Sequence, residues 1–122
     1  MNYRRSLSML CVLSIGVLLS ACSQQAIQIP NVSLSQVQLN KYEASCKVCH
    51  EQKASGAPQR GAYQDWQIVF GKPMDLIMTR VIDGYAGMPP LGQCFDCSES
   101  DLNDLVLYLA QSPNTQKHEA EK

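Results

Sequence analysis

The run Cys46-Lys47-Val48-Cys49-His50 constrains this chain more than any other feature. C-x-x-C-H is the attachment sequence of a c-type haem. The spacing follows from the chemistry. Each thiol adds across one vinyl group, and two intervening residues let both sulfurs reach the same edge of the macrocycle. The adjacent histidine is then held below the iron as proximal ligand. Zinc proteins also contain chance matches, so the destination of the chain and the fate of its other cysteines bear on the reading.

The N-terminus addresses the destination. Arg4 and Arg5 precede the apolar run Leu7–Leu19, which is broken only by Ser8, Ser14 and Gly16. A membrane-spanning helix needs about 20 predominantly apolar residues; this run is shorter and ends in small residues, as signal peptides do. Leu19-Ser20-Ala21-Cys22 resembles the bacterial lipobox, in which the cysteine is acylated and becomes N-terminal. The expectation is a signal over residues 1–21, cleaved before Cys22, and a lipid bilayer anchor worth about 0.8 kcal/mol per buried methylene. Ser23 after that cysteine, by resemblance to Gram-negative lipoproteins, favours the outer over the inner membrane, with the domain in the bacterial periplasm. The formal charge is -1, and loss of Arg4 and Arg5 makes the chain more acidic. Nothing is basic enough to make nucleic acid a partner.

The chain has six cysteines. Cys11 leaves with the signal and Cys22 takes lipid, so four remain in a compartment that permits disulfides. Cys94-Phe95-Asp96-Cys97 is followed by Ser98 and lacks the histidine a second haem would need. The two pairs together could form a four-cysteine zinc site, which would leave His50 unexplained. A disulfide between Cys94 and Cys97, closing a very short loop, is the preferred assignment.

A second axial ligand is needed. His118 lies in the polar tail beyond Pro113, so methionine is the candidate. Met74 and Met78 share helical spacing with Ile77, Val81 and Ile82 and read as core. Met88 sits in Gly84-Tyr85-Ala86-Gly87-Met88-Pro89-Pro90, where glycines allow tight turns and prolines fix φ. A stiff loop of this kind can hold a thioether over an iron. His/Met ligation raises the reduction potential and closes both axial positions, which opposes the alternatives of a haem sensor or a peroxidase-like protein.

The remaining pattern is helical. Residues 22–37 read as a flexible tether, 38–112 as the domain and 113–122 as a polar tail. Helices are expected from about Ser35 to Cys46, from near Tyr63 or Asp65 to Gly71, over Met74–Ile82, and after Ser98. There Asp101 completes a capping-box-like start, and Leu102, Leu105, Val106 and Leu109 form one stripe. No strand is convincing, so the fold class is all-α, about four helices around one covalent haem. A domain of about 75 residues has a small core, and a buried macrocycle would supply missing apolar surface.

Together these stretches resemble class I cytochromes c, more closely the cytochrome c5 group. Cys46–His50 with Gly56-Ala57-Pro58, Gly87-Met88-Pro89-Pro90 with Gly92 and Cys94-x-x-Cys97, and Asp101–Leu109 carry the likeness. The resemblance implies a small class I cytochrome c fold, with haem c bound through Cys46 and Cys49, His50 and Met88 as iron ligands, and a Cys94–Cys97 disulfide. It also implies that the Pro58 carbonyl accepts the His50 ring N–H, that Trp66 either points its indole N–H at a haem propionate or serves as a core aromatic, and that Tyr108 packs near the first helix. The function so implied is one-electron transfer with redox proteins (an oxidase, reductase or dehydrogenase), not enzymatic catalysis.

Overall fold

The structure, a computed structural model, describes residues 26–111. The segment 1–21 expected to be a signal, Cys11, Cys22, His118 and the expected tail 113–122 lie outside the described residues. Among the described residues five α-helices follow one another: α1 Gln36–Ala44, α2 Lys47–His50, α3 Tyr63–Phe70, α4 Met74–Asp83 and α5 Glu99–Ala110. Two 3-10 turns, Lys53–Ser55 and Pro90–Gln93, connect them. The only extended pairing among these residues is the isolated bridge Tyr85–Met88. The fold is all-α. Beyond the four expected helices, the attachment sequence itself forms a helical turn. No helix of the described residues is long and apolar enough to cross a membrane.

The helix ends follow local chemistry. Ser35 caps α1 in a box with Gln38: the Gln38 N–H donates to Ser35 Oγ at 3.3 Å, and the Ser35 N–H donates to Gln38 Oε1 at 3.0 Å. Ser98 and Asp101 form the same reciprocal pair at the start of α5, each bond 3.1 Å. Each box satisfies donors that a helix start would leave orphaned.

The long α5 organises the core because its apolar stripe serves two clusters. Leu105, Tyr108, Leu109 and Ala110 pack with Tyr42, Cys46 and Trp66. Leu102 and Val106 pack with Ile77, Met78, Val81 and Cys94. Each fully buried Leu or Val contributes about 1.5–3 kcal/mol of transfer free energy, so α5 is the element on which both halves depend. The Tyr42 and Tyr108 rings meet edge-on with centroids 5.1 Å apart, joining α1 to α5.

The structure departs from the tether expected over 22–37. Ile29, Val32 and Leu34 pack against the first cluster, Gln111 Nε2 donates to the Pro30 carbonyl at 3.3 Å, and residues 36–37 already belong to α1. Alternation of apolar and polar residues lets an extended strap bury one side while its polar composition faces water.

Candidate functional site

One cavity of about 540 Å³ lies between the two clusters, within the range of about 300–1,000 Å³ typical of ligand sites. Cys46, Cys49, His50, Pro58, Trp66 and Met88 all line it. Its walls are otherwise mainly apolar, drawn from Val69, Ile77, Val81, Leu102, Leu105, Val106 and Leu109.

The first group comes from α2. Cys46 precedes the turn and is buried, while Cys49 is exposed, and both are free thiols. Burial raises the Cys46 pKa, partly opposed by the Ser45 hydroxyl, which lies 3.6 Å from the sulfur. His50 is 8% exposed. Its Nδ1 lies 2.7 Å from the Pro58 carbonyl oxygen. That oxygen can only accept, so Nδ1 carries the proton, and in the neutral ring Nε2 is the lone-pair nitrogen. Burial lowers the His50 pKa, and the Pro58 carbonyl works against it.

Loop 52–60 holds this turn in place. Ser55 Oγ donates to the Cys49 carbonyl at 2.7 Å, and the Arg60 N–H to the His50 carbonyl at 2.7 Å. Gln59 Nε2 adds contacts to the carbonyls of Cys49, Gln52 and Ala57. The Gly61 N–H donates to the Leu109 carbonyl at 2.8 Å, tying the loop to α5. A helix of one turn leaves its carbonyls unpaired; here the following loop supplies the donors.

Trp66 is 3% exposed, and its ring lies 5.9 Å from that of His50. Its indole N–H donates to the Gln59 carbonyl at 2.9 Å. The ring packs in the first core cluster, which fits the core-aromatic reading, and indole has this single donor.

Met88 arrives on irregular backbone. Tyr85 and Met88 exchange N–H···O bonds of 3.0 and 2.9 Å, closing a tight turn in which Ala86 has φ +52°. Gly84 has φ +85°, and a Cβ there would stand 2.9 Å from the Met88 carbonyl oxygen and 3.0 Å from the Pro90 nitrogen. After the two prolines, Leu91, Gly92 and Gln93 all have positive φ. A Cβ on Gly92 would lie 3.2 Å from the Met88 methyl, so this glycine leaves room for the thioether end. Met74 and Met78 pack with the second cluster.

Arg80 was not singled out by the sequence pattern. It lines the cavity with its guanidinium carbon 4.1 Å from the Tyr85 ring centre. A cation–π contact holds it there, and among the described residues no ion pair joins it to a carboxylate. It flanks the apolar stripe of α4, where an arginine reads as a solvated residue.

Cys94 and Cys97 are joined by a disulfide with Cα atoms 5.4 Å apart. Neither lines the cavity that holds Cys46 and Cys49. With two sulfurs bonded to each other, the four-cysteine zinc alternative lacks half of its thiolates. Asp96 lies beside the same pair, and the disulfide likewise removes them as ligands.

The residues fit an iron porphyrin. Two free thiols at C-x-x-C spacing adjoin a neutral imidazole whose Nε2 is available; a thioether lines the same apolar cavity; and a cation in the wall suits a carboxylate-bearing ring. Residues 39–109 match the family model described as cytochrome c oxidase, cbb3-type, subunit III. The chain is 33% identical over 63 residues to cytochrome c5 of Ectopseudomonas mendocina, covering 50% of this chain and 72% of that protein. It is 31% identical over 72 residues to cytochrome c-555 of Chlorobaculum thiosulfatiphilum, covering 56% and 84%. A chain from the crystal structure of an electron transfer complex of nitrite reductase with cytochrome c superposes with a TM-score of 0.55 at 28% identity, covering 64% of this chain and 95% of that one. Cavity, ligand chemistry and likeness converge: the chain belongs to the class I c-type cytochrome family of electron carriers.

Proposed function

We propose that the protein is a c5-like, lipid-anchored periplasmic carrier of single electrons, with one haem c bound through Cys46 and Cys49 and ligated by His50 and Met88. The observation that carries this reading is the meeting of two free thiols, a neutral buried imidazole and a thioether at one apolar cavity. When bound, the haem supplies a one-electron iron couple. The chain's own residues do the rest. Pro58 fixes the tautomer and orientation of His50, the apolar walls exclude water, and Arg80 balances a carboxylate of the bound group. With Met88 and His50 both as ligands the iron would have no place for an outside ligand, which favours a carrier over a haem sensor or a peroxidase-like protein.

Cys22, acylated after removal of residues 1–21, anchors the domain. The solved cytochrome c that pairs with a nitrite reductase supports a redox protein as the partner class. A small, transient contact of the kind redox partners use suits such exchange.

The test is a pyridine haemochrome spectrum with near-infrared absorption on protein made in a haem-maturing host. A thioether-type haemochrome and a sulfur-to-iron band are expected. Colourless protein whose Cys46 and Cys49 both react with alkylating agents would overturn the assignment.

A further inference from the structure

The chain joins the fold well before its first helix. Gln67, on α3, accepts the Ile27 N–H at 2.8 Å and donates from Nε2 to the Ile27 carbonyl at 2.9 Å. A side-chain amide paired this way with a backbone amide reproduces a ladder contact. Downstream, Ile29, Val32 and Leu34 continue the attachment to the core.

Beside this ladder lies exposed apolar surface. Ile68 is 70% exposed and Ile27 is 37% exposed. The Ile27 Cδ1 comes within 4.0 Å of where a Cβ on Gly71 would stand, and Ile68 sits three residues before Gly71. Trp66 is the buried residue of α3, and at 100° per residue Ile68 projects about 200° away from it. Lys72 folds back over the end of the helix, its Nζ 2.9 Å from the Ile68 carbonyl.

We propose that this outer face of α3, with Ile27, Ile68 and Lys72, rests on the lipid bilayer surface. The proposal depends on the acylated Cys22 put forward above. Only four residues separate Cys22 from Ile27, five Cα-to-Cα steps with a covalent reach of about 18 Å at most, whereas a tether running to residue 38 would reach about 55 Å. The polar headgroup region is itself about 5–7 Å deep on each side of the hydrocarbon. A leash this short keeps the Ile27 side of the domain at the membrane. Two isoleucines and a flanking lysine suit an interface that accepts apolar side chains and attracts cations to anionic lipid. Docking on α3 fixes the domain's orientation, leaving Val48, Cys49 and Tyr85, exposed on other elements, to meet a partner held at the same membrane.

The test uses full-length acylated holoprotein in vesicles of phosphatidylethanolamine and phosphatidylglycerol. A spin label is placed at position 68 (Ile68→Cys) or, as reference, at position 100 at the exposed start of α5 (Ser100→Cys), and spectra are taken on the reduced protein. Accessibility to oxygen relative to a water-soluble nickel chelate reports contact with lipid. The expected ratio at position 68 is several-fold above that at position 100, and adding Gln67→Ala brings it back toward the reference. Equal ratios on protein whose Cys22 peptide carries acyl chains by mass would overturn the docking and leave the anchor standing. A Cys22 peptide without acyl chains would overturn both. Equal shielding of position 68 in vesicle-free Cys22→Ser protein would mean that a second copy covers the face, and the proposal would fail.

Discussion

His50 and Met88 reach one cavity on backbones of opposite kinds. His50 ends a helical turn whose carbonyls are met by donors from the next ten residues, and its ring is fixed by one bond to Pro58. Met88 rides a strap with positive φ at Gly84, Ala86, Leu91, Gly92 and Gln93. Non-glycine residues in the left-handed region cost about 1–2 kcal/mol each, so packing must hold this strap. Leu91 and Met88 lie against Ile77, Met78, Val81 and Cys94, and the Cys94–Cys97 disulfide follows at once. Hydrogen bonds set the histidine side. On the methionine side the Tyr85–Met88 pair closes the turn and steric fit completes it, the side chains that glycine lacks being part of that fit.

The largest expected effect separates attachment from ligation. Cys49→Ser should abolish the two-thioether haemochrome, because the cavity then offers one reactive thiol. Met88→Leu should leave covalent haem near the wild-type amount, since α2 and its loop are untouched. It should remove the sulfur-to-iron band and lower the potential by on the order of 0.1 V, well inside the range of about 0.8 V that axial ligands command. Haem content per polypeptide, near-infrared absorption and redox titration measure these. If Met88→Leu lost as much covalent haem as Cys49→Ser, the two sides would not be separable.

Glycines sharpen the same contrast. Gly84 has φ +85° and ψ 155°, a region essentially closed to other residues, and an added Cβ would meet backbone atoms of Met88 and Pro90. Gly84→Ala should cost about 3 kcal/mol or more, combining backbone strain with overpacking. Gly56, on the His50 side, also has positive φ, but a Cβ there has nothing within 4 Å. Gly56→Ala should cost only about 1 kcal/mol. Urea unfolding of the two holoproteins decides it, and equal midpoints would remove the distinction drawn here.

The contrast also explains what was legible. C-x-x-C-H is local, so its chemistry could be read from five adjacent residues, and Met88 was marked by the glycines and prolines around it. The stripe of α5 and its Ser98 cap were visible because periodicity and capping are sequence-local. α1 was faint, since Tyr42 is its buried residue. The Gln59 carbonyl that takes the Trp66 N–H was invisible, because a backbone acceptor leaves no mark on residue type. Arg80 was masked by its place beside an apolar stripe. The segment before α1 was read as a tether on its Gln, Ser and Asn content, although Ile27, Ile29, Val32 and Leu34 are interspersed among its polar residues.

The smallest effect tests what joins the two sides. Lys41 of α1 donates from Nζ to Asp101 Oδ2 at 2.9 Å and to the Asp96 carbonyl at 2.8 Å, beside the disulfide. That ammonium first, and then the Ser98 backbone N–H and hydroxyl, hold the Asp101 carboxyl below its ordinary 3.8, at about 2. A carboxyl depressed in the folded state binds its proton more readily in the unfolded chain. Its contribution is therefore full above about pH 4 and is lost as pH falls toward 2. Asp101→Asn can keep the cap but cannot titrate, so it should be less stable than wild type at pH 7, with the gap closing between pH 4 and 2. Urea midpoints across that range measure it, and a gap that stays constant would show that Asp101 titrates alike in both states. Because one lysine bridges α1 and the Cys94–Cys97 loop, the acid-range loss should register together in haem absorption from the His50 side and in the sulfur-to-iron band from the Met88 side. Separate transitions would mean that the bridge does not couple them.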